Sequence, residues 1–501
     1  MSTITKLRQK FDLFKITGFL LGPVLFLILI NVVTLPESLA PNAGTVMAIG
    51  TWMVIWWITE AVPLFVTALL PLVLFPLLGV ADMTATAAPY ANPIIFLFMG
   101  GFLIALAMEK RNLHTRIALN LIRVTGTHAN GIILGFMLAT AFLSMWISNT
   151  AATVMMLPIA LSVVNLLREN NPGDTPKGYG KFALALMLCI AYSANIGGTA
   201  TIIGTPPNVV FLGYMKQFYD RDIAFGQWLL IGIPFTVIML TATFFLTTRV
   251  LFPHGLGKLA GSAQLVRDKL KALGAMSKAE KLVGVIFFLT AACWIFQQNI
   301  NEFLCLLLND TQEVACRSYL NNTNIAMAGG VLMFITPVNL AEHEFVLDWQ
   351  STEKLPWGIL LLFGGGLCLA NGMEKTGIIQ FVGDQIAQGP DMAFWILILL
   401  LTTFMLFMTE FMSNVALTVI FLPVVLGIAD GLQVEPVYLA IPVTLASSCA
   451  FMMPVSTPPN AVVFSSGHIK IMDMVKAGFF LNIISIILLL LLSVTLLPLV
   501  F

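Results

Sequence analysis

Long apolar stretches alternate with short polar ones along the whole chain. Several of these stretches exceed the ~20 residues that a helix needs to cross the hydrocarbon core of a bilayer. The pattern predicts about eleven transmembrane helices, of which the two in 182–215 and 437–469 are interrupted. The others are placed near 16–35, 43–59, 61–80, 92–108, 226–251, 283–299, 324–340, 355–372 and 477–500.

Two further apolar windows, 127–166 and 392–429, are each long enough for two short helices. Both contain a Ser-Asn pair followed by a proline near the midpoint. Lipid cannot satisfy the backbone groups that such a break exposes, so the polar tip has to be enclosed by protein. Each window is therefore interpreted as a re-entrant helical hairpin, and the predicted fold class is an all-α polytopic membrane protein.

Three pairs of short segments indicate an internal duplication. Two pairs are separated by 265 residues and the third by 252 residues. Such spacing is typical of a membrane transporter whose binding site lies where the two copies meet. The pairs are MEK at 108–110 and 373–375, SNTAATVMMLP at 148–158 and SNVALTVIFLP at 413–423, and GTPPN at 204–208 and STPPN at 456–460.

Composition supports a membrane location. The chain has 501 residues, of which 58% are hydrophobic and only 10% charged, and its mean hydropathy is +0.93. Soluble domains carry about 25% charged residues. The first apolar run, Ile16 to Pro36, lacks a small-residue cleavage site and is interpreted as a retained first helix, not as a signal peptide.

Lysine and arginine are concentrated at the N-terminus, in 110–123 and 168–181, and above all in the linker 253–282. The positive-inside rule places these segments, and the N-terminus, in the cytoplasm. The loop 300–322 is then outside, where an oxidising compartment would permit a disulfide between Cys305 and Cys316. We expect a bacterial inner (plasma) membrane protein.

The basic linker separates two predicted repeats, 43–252 and 283–501, after an N-terminal segment and first helix at 1–42. Each repeat has five predicted crossings and one hairpin. Because five is odd, the second repeat enters the membrane from the opposite side, so the repeats are predicted to be inverted. The two hairpin tips would then meet near the middle of the membrane.

Polar residues occur deep within apolar sequence at four clusters. Their hydroxyl and amide groups can donate to a carboxylate, and their oxygens, with freed backbone carbonyls, can hold a hard cation such as sodium. Half-helix N-termini add positive potential for an anion. The clusters are Ser144 with 148–150, Asn195 to Asn208, Thr409 with 413–414, and Ser447 to Asn460.

The same regions contain no fixed cation. Lysine and arginine are absent from 124–167, 182–215, 385–429 and 437–469. An anionic substrate would therefore need co-bound cations to neutralise it, which predicts obligatory coupling.

Other interpretations apply to individual residues. A lone serine or threonine in a membrane helix usually bonds to the preceding turn, and an asparagine can join two helices. Glu410 is either an ion ligand or proton site, or a hydrogen-bonded structural carboxyl. The scattered histidines do not predict a metal centre. The sequence also contains no nucleophile motif and no paired acids that would indicate an enzyme. The polar residues also cluster instead of lining a continuous pore, which disfavours a channel.

The chain resembles the divalent anion/sodium symporter family of sodium-coupled dicarboxylate, citrate and sulfate carriers. The resemblance rests on ISNTAATVMMLP, TEFMSNVALTVIFLP, GTPPN, STPPN and EKLPWGILLLFGGG, which together extend over nearly the whole chain. It implies a homodimer with an elevator mechanism, in which a transport domain slides past a scaffold domain at the dimer interface. The scaffold would comprise 43–123 and 283–388, and the transport domain 124–252 and 389–501.

The resemblance also implies site residues. One departure is Val415, which stands where the first copy has Thr150 and makes the second half-site less polar. Substrate would be held by Ser148, Asn149, Thr150, Ser413, Asn414, Val415, Thr457 and Pro458. One sodium ion would be held by Ser144, Ser148, Asn149, Gly197 and Gly198, and another by Thr409, Met412, Asn414 and Ser456.

The predicted function is import of C4-dicarboxylates such as succinate, malate or fumarate, coupled to sodium ions. The expected partners are the dicarboxylate, sodium, membrane lipid and a second copy of the chain, and not nucleic acid. The alternatives are a citrate or sulfate symporter, and a sodium-independent dicarboxylate exchanger.

Overall fold

The computed structural model describes residues 13–32, 36, 38–169, 178–259, 261–307, 319–389 and 392–501. Cys316 lies outside the described residues, so the structure does not address the predicted disulfide. The same holds for the basic residues before Leu13. Within the described residues the chain is helical, apart from one short antiparallel pair of strands.

In the part of the chain that the structure describes, twelve helices lie before the basic linker. They are α1 (Leu13–Val32), α2 (Ala43–Thr59), α3 (Leu64–Thr67), α4 (Leu70–Leu77), α5 (Met83–Ala87), α6 (Pro93–Lys110), α7 (Leu113–Val124), α8 (Ala129–Ser144), α9 (Asn149–Glu169), α10 (Tyr179–Gly198), α11 (Pro206–Tyr219) and α12 (Phe225–Phe245). A 3-10 turn at Ala88–Ala91 precedes α6, and a π-helical turn at Leu246–Leu251 extends α12.

Helix α13 (Ser262–Ala272) lies within the linker, and the second half follows it. Its elements are α14 (Lys278–Ile295), α15 (Gln297–Leu307), α16 (Asn322–Ile335), strands β1 (Pro337–Asn339) and β2 (Glu344–Phe345), a 3-10 turn at Trp349–Lys354, α17 (Trp357–Lys375), α18 (Ile378–Ala387), α19 (Phe394–Met408), α20 (Asn414–Gly431), α21 (Val437–Ser447), α22 (Pro458–Phe464), α23 (Ile471–Thr495) and α24 (Leu497–Val500).

Among the described residues, eight helices are long and apolar enough to span a bilayer. A ninth results if α14 and α15, which meet at an angle of 80°, form one broken span. Six shorter apolar helices, including the first helix of each predicted hairpin, have 10–17 residues. An integral membrane protein with several spanning helices is therefore confirmed, whereas the count of eleven crossings stays a prediction.

Three predicted spans differ in detail from the observed elements. The span predicted at 61–80 consists of two short helices, α3 and α4, because Pro71 can occupy only the first turn of a helix without losing a hydrogen bond. The span predicted at 324–340 ends at Ile335, and residues 337–339 instead form β1. The span predicted at 283–299 begins earlier, at Lys278, where Ser277 caps the helix.

Glycines allow the closest helix contacts. A Cβ on Gly100 of α6 would lie 2.5 Å from the backbone carbon of Ala326 in α16, and one on Gly365 of α17 would lie 2.2 Å from the carbonyl oxygen of Ala68. Real Cβ atoms do not approach other atoms so closely. Gly100 and Gly365 therefore permit close packing at these two helix contacts.

Each predicted hairpin is a pair of helices with a polar break. Helices α8 and α9 are separated by residues 145–148, and α19 and α20 by residues 409–413. The prolines that follow, Pro158 and Pro423, lie inside the second helix of each pair. The Ser-Asn pair, and not the proline, therefore marks the break.

The two interrupted helices are observed as α10 followed by α11 and α21 followed by α22. Packing between the halves is crossed: α22 packs against α9, and α11 packs against α20. The second helix of each hairpin thus contacts the interrupted helix of the other half. This arrangement brings the four polar breaks together.

Candidate functional site

In the first half, a buried hydroxyl joins the hairpin to the interrupted helix. Ser144 Oγ lies 2.5 Å from Asn149 Oδ1 and 2.7 Å from the carbonyl oxygen of Ala194 in α10. Ser144 is fully buried, and Asn149 is the first residue of α9. Three oxygens from three helices therefore converge at this hairpin tip.

The second half repeats this arrangement. Thr409 Oγ1 lies 2.7 Å from Asn414 Oδ1 and 2.8 Å from the carbonyl oxygen of Ser447 in α21. Thr409 is fully buried, and Asn414 is the first residue of α20. Although serine is replaced by threonine, the same three kinds of oxygen occur in the same relation.

The chemistry of these oxygens suits a sodium ion. A hydroxyl carries one hydrogen, so Ser144 can donate to Asn149 or to Ala194 but not fully to both. The remaining oxygen lone pairs are those that a hard cation accepts as ligands. The same applies to Thr409. In each half, therefore, one hydroxyl hydrogen is shared between two short oxygen–oxygen contacts.

The amide nitrogens of the two asparagines are suited to an anion. Because Oδ1 of Asn149 and of Asn414 is engaged by a hydroxyl, the Nδ2 group is left as a donor, and neither Nδ2 bonds to another described residue. Each of these residues also begins a helix, where the helix dipole is positive. The hairpin tips thus present donors to an anion beside oxygens for a cation.

The remaining predicted ligands of the first sodium ion are not equivalent. A Cβ on Gly198 would lie 2.6 Å from Asn149 Oδ1, so Gly198 directly adjoins the oxygen cluster. A Cβ on Gly197 would instead lie 2.4 Å from the Ala141 carbonyl, which places Gly197 at the crossing of α10 with α8. Ser148 is exposed and its Oγ accepts from the Ala151 N–H at 3.2 Å.

Two predicted ligands of the second ion are less closely connected. Among the described residues, no hydrogen bond joins Met412 or Ser456 to the Thr409–Asn414 pair. Met412 is buried, and Ser456 Oγ donates to the Met453 carbonyl at 2.7 Å. The core of the second cluster is therefore Thr409, Asn414 and the Ser447 carbonyl.

The predicted substrate residues lie at the ends of these helices. Thr150 and Ser413 are half-buried, and their hydroxyls bond to no other described residue. Val415 is half-buried at the second position of α20, where α9 has Thr150. Thr457 caps α22, and Pro458, its first residue, is exposed.

Two equivalent asparagines stabilise the breaks in the interrupted helices. In the first half, Asn208 Nδ2 donates to the Thr201 carbonyl at 2.8 Å. In the second half, Asn460 Nδ2 lies 3.1 Å from the carbonyls of both Ala450 and Met453. Both asparagines are fully buried. They satisfy carbonyls that the helix break leaves without a partner, so the final residue of each TPPN motif organises the break.

One asparagine connects the two halves directly. Asn195 Nδ2 of α10 lies 3.1 Å from Thr457 Oγ1 and 3.4 Å from Asn460 Oδ1. Ser448 follows the Ser447 carbonyl as Asn195 follows the Ala194 carbonyl, and its buried hydroxyl has no partner among the described residues. The side chain that connects the halves therefore comes from the first half. The sequence identified Asn195 only as the edge of a polar cluster.

Glu410 supports the break in the second half. Its carboxylate accepts from the N–H groups of Phe451, Met452 and Met453 at 2.8–3.2 Å, and from Asn482 Nδ2 at 2.9 Å. Glu410 is 1% exposed. Because both oxygens are occupied by N–H donors, the contacts favour the structural alternative for this carboxyl.

Asn482 is a neighbour of this carboxylate that the sequence did not identify. It lies in α23, where it is the only asparagine in 25 residues of mostly apolar sequence. A single amide in such a segment is a recognisable signal, because lipid offers it no partner.

Nearly the full length of the chain matches a known family. A family model described as the sodium:sulfate symporter transmembrane region matches residues 15–501. The chain belongs to this family of divalent anion/sodium symporters. The resemblance stated from the hairpin motifs is thereby confirmed, and these symporters are transporters and not enzymes.

Relatives of this symporter extend over nearly the same length. A protein of Staphylococcus saprophyticus named sodium-dependent dicarboxylate transporter SdcS is 40% identical over 495 residues, which are 98% of this chain and 93% of the relative. The SdcS protein of Staphylococcus aureus is 39% identical over 500 residues, or 99% and 94%.

Two solved structures show a similar fold. The YdaH transporter of Alcanivorax borkumensis has a TM-score of 0.56 at 14% identity and covers 96% of each chain. MtrF of Neisseria gonorrhoeae, described among antimetabolite efflux pumps, has a TM-score of 0.54 at 14% identity and covers 83% of this symporter and 84% of that chain. At this identity the likeness concerns the fold alone.

Proposed function

We propose that this protein imports C4-dicarboxylates such as succinate, malate or fumarate across a bacterial inner membrane, coupled to sodium ions. The observation that carries the proposal is the paired arrangement at Asn149 and Asn414. Each asparagine has an oxygen in a hydroxyl–carbonyl cluster and a nitrogen free to donate. Two such half-sites match the two carboxylates of a dicarboxylate. The names of the relatives support the same substrate and ion.

Electrostatics makes the coupling necessary. The hairpin tips and helix breaks contain no lysine or arginine, so no fixed cation neutralises a dianion at these positions. A sodium ion at each oxygen cluster would supply that charge and would also satisfy the oxygens that one hydroxyl hydrogen cannot serve. Substrate and ions then bind together or not at all.

Each residue has a distinct role in the proposed site. Ser144 with Asn149 and Gly198 would hold one sodium ion, and Thr409 with Asn414 would hold the other. The donors Ser148, Thr150, Ser413 and the N-terminal amides of α9 and α20 would bind the carboxylates. Thr457 accepts from Asn195 and from the Asn460 N–H, so its own hydrogen is available to the substrate.

We propose an elevator mechanism in a homodimer, with the N-terminus in the cytoplasm. The transport domain would comprise 124–252 and 389–501, which contain both hairpins and both interrupted helices. The scaffold would comprise 43–123 and 283–388. The crossed packing of α9 with α22 and of α11 with α20 supports a single moving unit, because it joins all four breaks.

The test is uptake of labelled succinate into proteoliposomes with and without an inward sodium gradient. We expect uptake only with sodium, and competition by malate and fumarate more than by citrate or sulfate. Full uptake in choline buffer would instead indicate the sodium-independent exchanger. Stronger competition by citrate or sulfate would assign the site to those anions. Exchange of trapped for external succinate distinguishes a carrier from a channel.

A further inference from the structure

A large cavity lies apart from the polar breaks, beside the basic linker. Its volume is about 840 Å³, within the range of ligand pockets. Four helices enclose it: the end of α7, the first turns of α8, the middle of α9, and α13. Its lining is Ile122, Arg123, Gly126, Thr127, Ile132, Phe136, Val163, Ser262, Ala263, Val266, Arg267, Leu270, Lys271 and Gly274.

Three cationic side chains line this cavity. Arg123, Arg267 and Lys271 are exposed, and among the described residues none of them forms an ion pair or a side-chain hydrogen bond. The lining residues that the structure describes include no acidic side chain. The nearest acid along α13, Asp268, accepts instead from Gln264 at 2.7 Å. The mouth therefore has uncompensated positive charge.

The inner surface of the cavity is apolar. Ala263 and Leu270 are half-buried, and Val266 between them is 5% exposed. These three lining residues follow one another at helical spacing, so their apolar strip extends roughly 10 Å along α13. A water-soluble anion needs no apolar surface of that length. The combination of a cationic mouth with an apolar interior fits an amphiphile.

Hydrogen bonds at both ends of α13 fix the helix that closes the cavity. At one end of α13, the Leu259 N–H donates to the Thr127 carbonyl at 2.9 Å. At the other end, the guanidinium of Arg116 donates to the Gly274 carbonyl at 3.1 Å. The same guanidinium donates to Glu280 at 2.7 Å. Helix α13 is therefore fixed to α7 and to the base of the first hairpin on both sides of the cavity.

We propose that this cavity binds a membrane phospholipid with an anionic headgroup. Arg123, Arg267 and Lys271 contact the headgroup phosphate, and the first part of an acyl chain lies against Ala263, Val266 and Leu270. Basic pockets at the edge of membrane helices recognise anionic lipids by this combination of charge and apolar contact. The site is distinct from the sodium clusters and does not depend on the transported substrate.

The test compares lipids bound to the full-length protein in detergent, measured by native mass spectrometry and by the shift in melting temperature. The probes are dioleoyl-phosphatidylglycerol, dioleoyl-phosphatidylcholine and inorganic phosphate. We expect saturable binding and stabilisation with phosphatidylglycerol alone. The double variant Arg267→Gln/Lys271→Gln should bind it at least roughly tenfold more weakly, since each charge near a headgroup contributes about fivefold.

The control is Lys269→Gln, which removes one positive charge from the same helix, against two in the double variant, at a position that does not line the cavity. It should bind phosphatidylglycerol as the wild type does. Ala263→Trp keeps all charges but fills the cavity, and it should also lose binding. The proposal is wrong if phosphatidylcholine binds equally well, if phosphate alone stabilises as strongly, or if the double variant matches Lys269→Gln. It is also wrong if Ala263→Trp folds and binds normally.

Discussion

Asn195 and Thr457 come from different halves of the chain, 262 residues apart, and their side chains form a buried hydrogen bond of 3.1 Å. This bond joins the interrupted helix of the first half to the cap of α22 in the second half. It therefore couples the two half-sites at the point where a substrate would bridge them.

Removal of this connection should weaken substrate binding. Asn195→Ala removes the amide donor to Thr457 Oγ1 and leaves Asn460 Oδ1 without a donor among the described residues, which costs ~1–3 kcal/mol. We expect the apparent affinity for succinate to fall by at least about fivefold in proteoliposome uptake. The control is Ser448→Ala at the equivalent position, where the buried hydroxyl has no partner among the described residues and its loss should change affinity less than about twofold. Equal behaviour of both variants would contradict the bridging role.

The two oxygen clusters should determine sodium dependence. Ser144→Ala and Thr409→Val each remove a hydroxyl that contacts an amide and a carbonyl oxygen. We expect each variant to require at least roughly fivefold more sodium for half-maximal succinate uptake, since one ligand to a charged group is lost. Thr409→Ser keeps the hydroxyl and should retain nearly normal sodium dependence. An unchanged sodium requirement in the first two variants would show that the clusters are structural.

Position 415 tests the asymmetry between the half-sites. Val415→Thr restores the hydroxyl found at Thr150 and is close to isosteric at a half-buried position. One neutral hydrogen bond of ~0.5–1.5 kcal/mol should tighten succinate binding about two- to tenfold, or shift preference towards anions with more oxygens. Affinities for succinate, malate and citrate should be compared with those of the reciprocal variant Thr150→Val, which should bind more weakly. No change for any of the three anions in Val415→Thr would mean that position 415 does not contact substrate.

Glu410 should be required for stability. Glu410→Gln replaces an oxygen that accepts backbone N–H groups with an NH₂ donor, which places donors against donors. Loss of hydrogen bonds to a buried charge costs ~1.5–3 kcal/mol each, so the melting temperature of the purified protein should fall by several degrees. Glu302→Gln, at an exposed position of α15, provides the control and should melt as the wild type does. A normal melting temperature for Glu410→Gln, together with altered sodium coupling, would assign the carboxyl to ion binding.

Acid should weaken one contact outside the membrane spans. Lys110 and Ser351 hold the pKa of Asp348 well below its usual range through hydrogen bonds. Because the folded-state pKa is lowered, the pair stabilises the fold above the ordinary carboxyl pKa of about 4, and this contribution is lost as the pH falls below that value.

The measurement compares melting temperatures of wild type and Asp348→Asn between pH 7 and pH 3. The carboxylate is largely exposed, so solvent screening limits the difference to below ~1 kcal/mol at pH 7. The difference should shrink as the pH falls. Glu353→Gln, at an exposed position nearby, should show no such trend. A constant difference at all pH values would contradict the linkage.

Much of the fold followed from local patterns. The apolar windows predicted most helices to within a few residues, because in lipid a helix is the arrangement that satisfies its own backbone. The Ser-Asn pairs predicted the hairpin breaks. The windows 182–215 and 437–469 were predicted to be interrupted, as α10 with α11 and α21 with α22 are. The prediction was less accurate at 324–340, where residues after Ile335 pair as strands through contacts that hydropathy does not encode.

The sequence alone determined the class of protein, the duplication, the polar residues available and the absence of a fixed cation near them, since these depend on composition and on spacing along the chain. Only the tertiary structure decided which oxygens meet. The Ala194 carbonyl belongs to a residue without a distinctive pattern, and Ser447 was identified only as the edge of a polar cluster. The Asn195–Thr457 bond joins residues far apart in sequence. Such contacts depend on how α9, α10, α21 and α22 cross one another, and crossing geometry arises from packing of whole helices and not from any local motif.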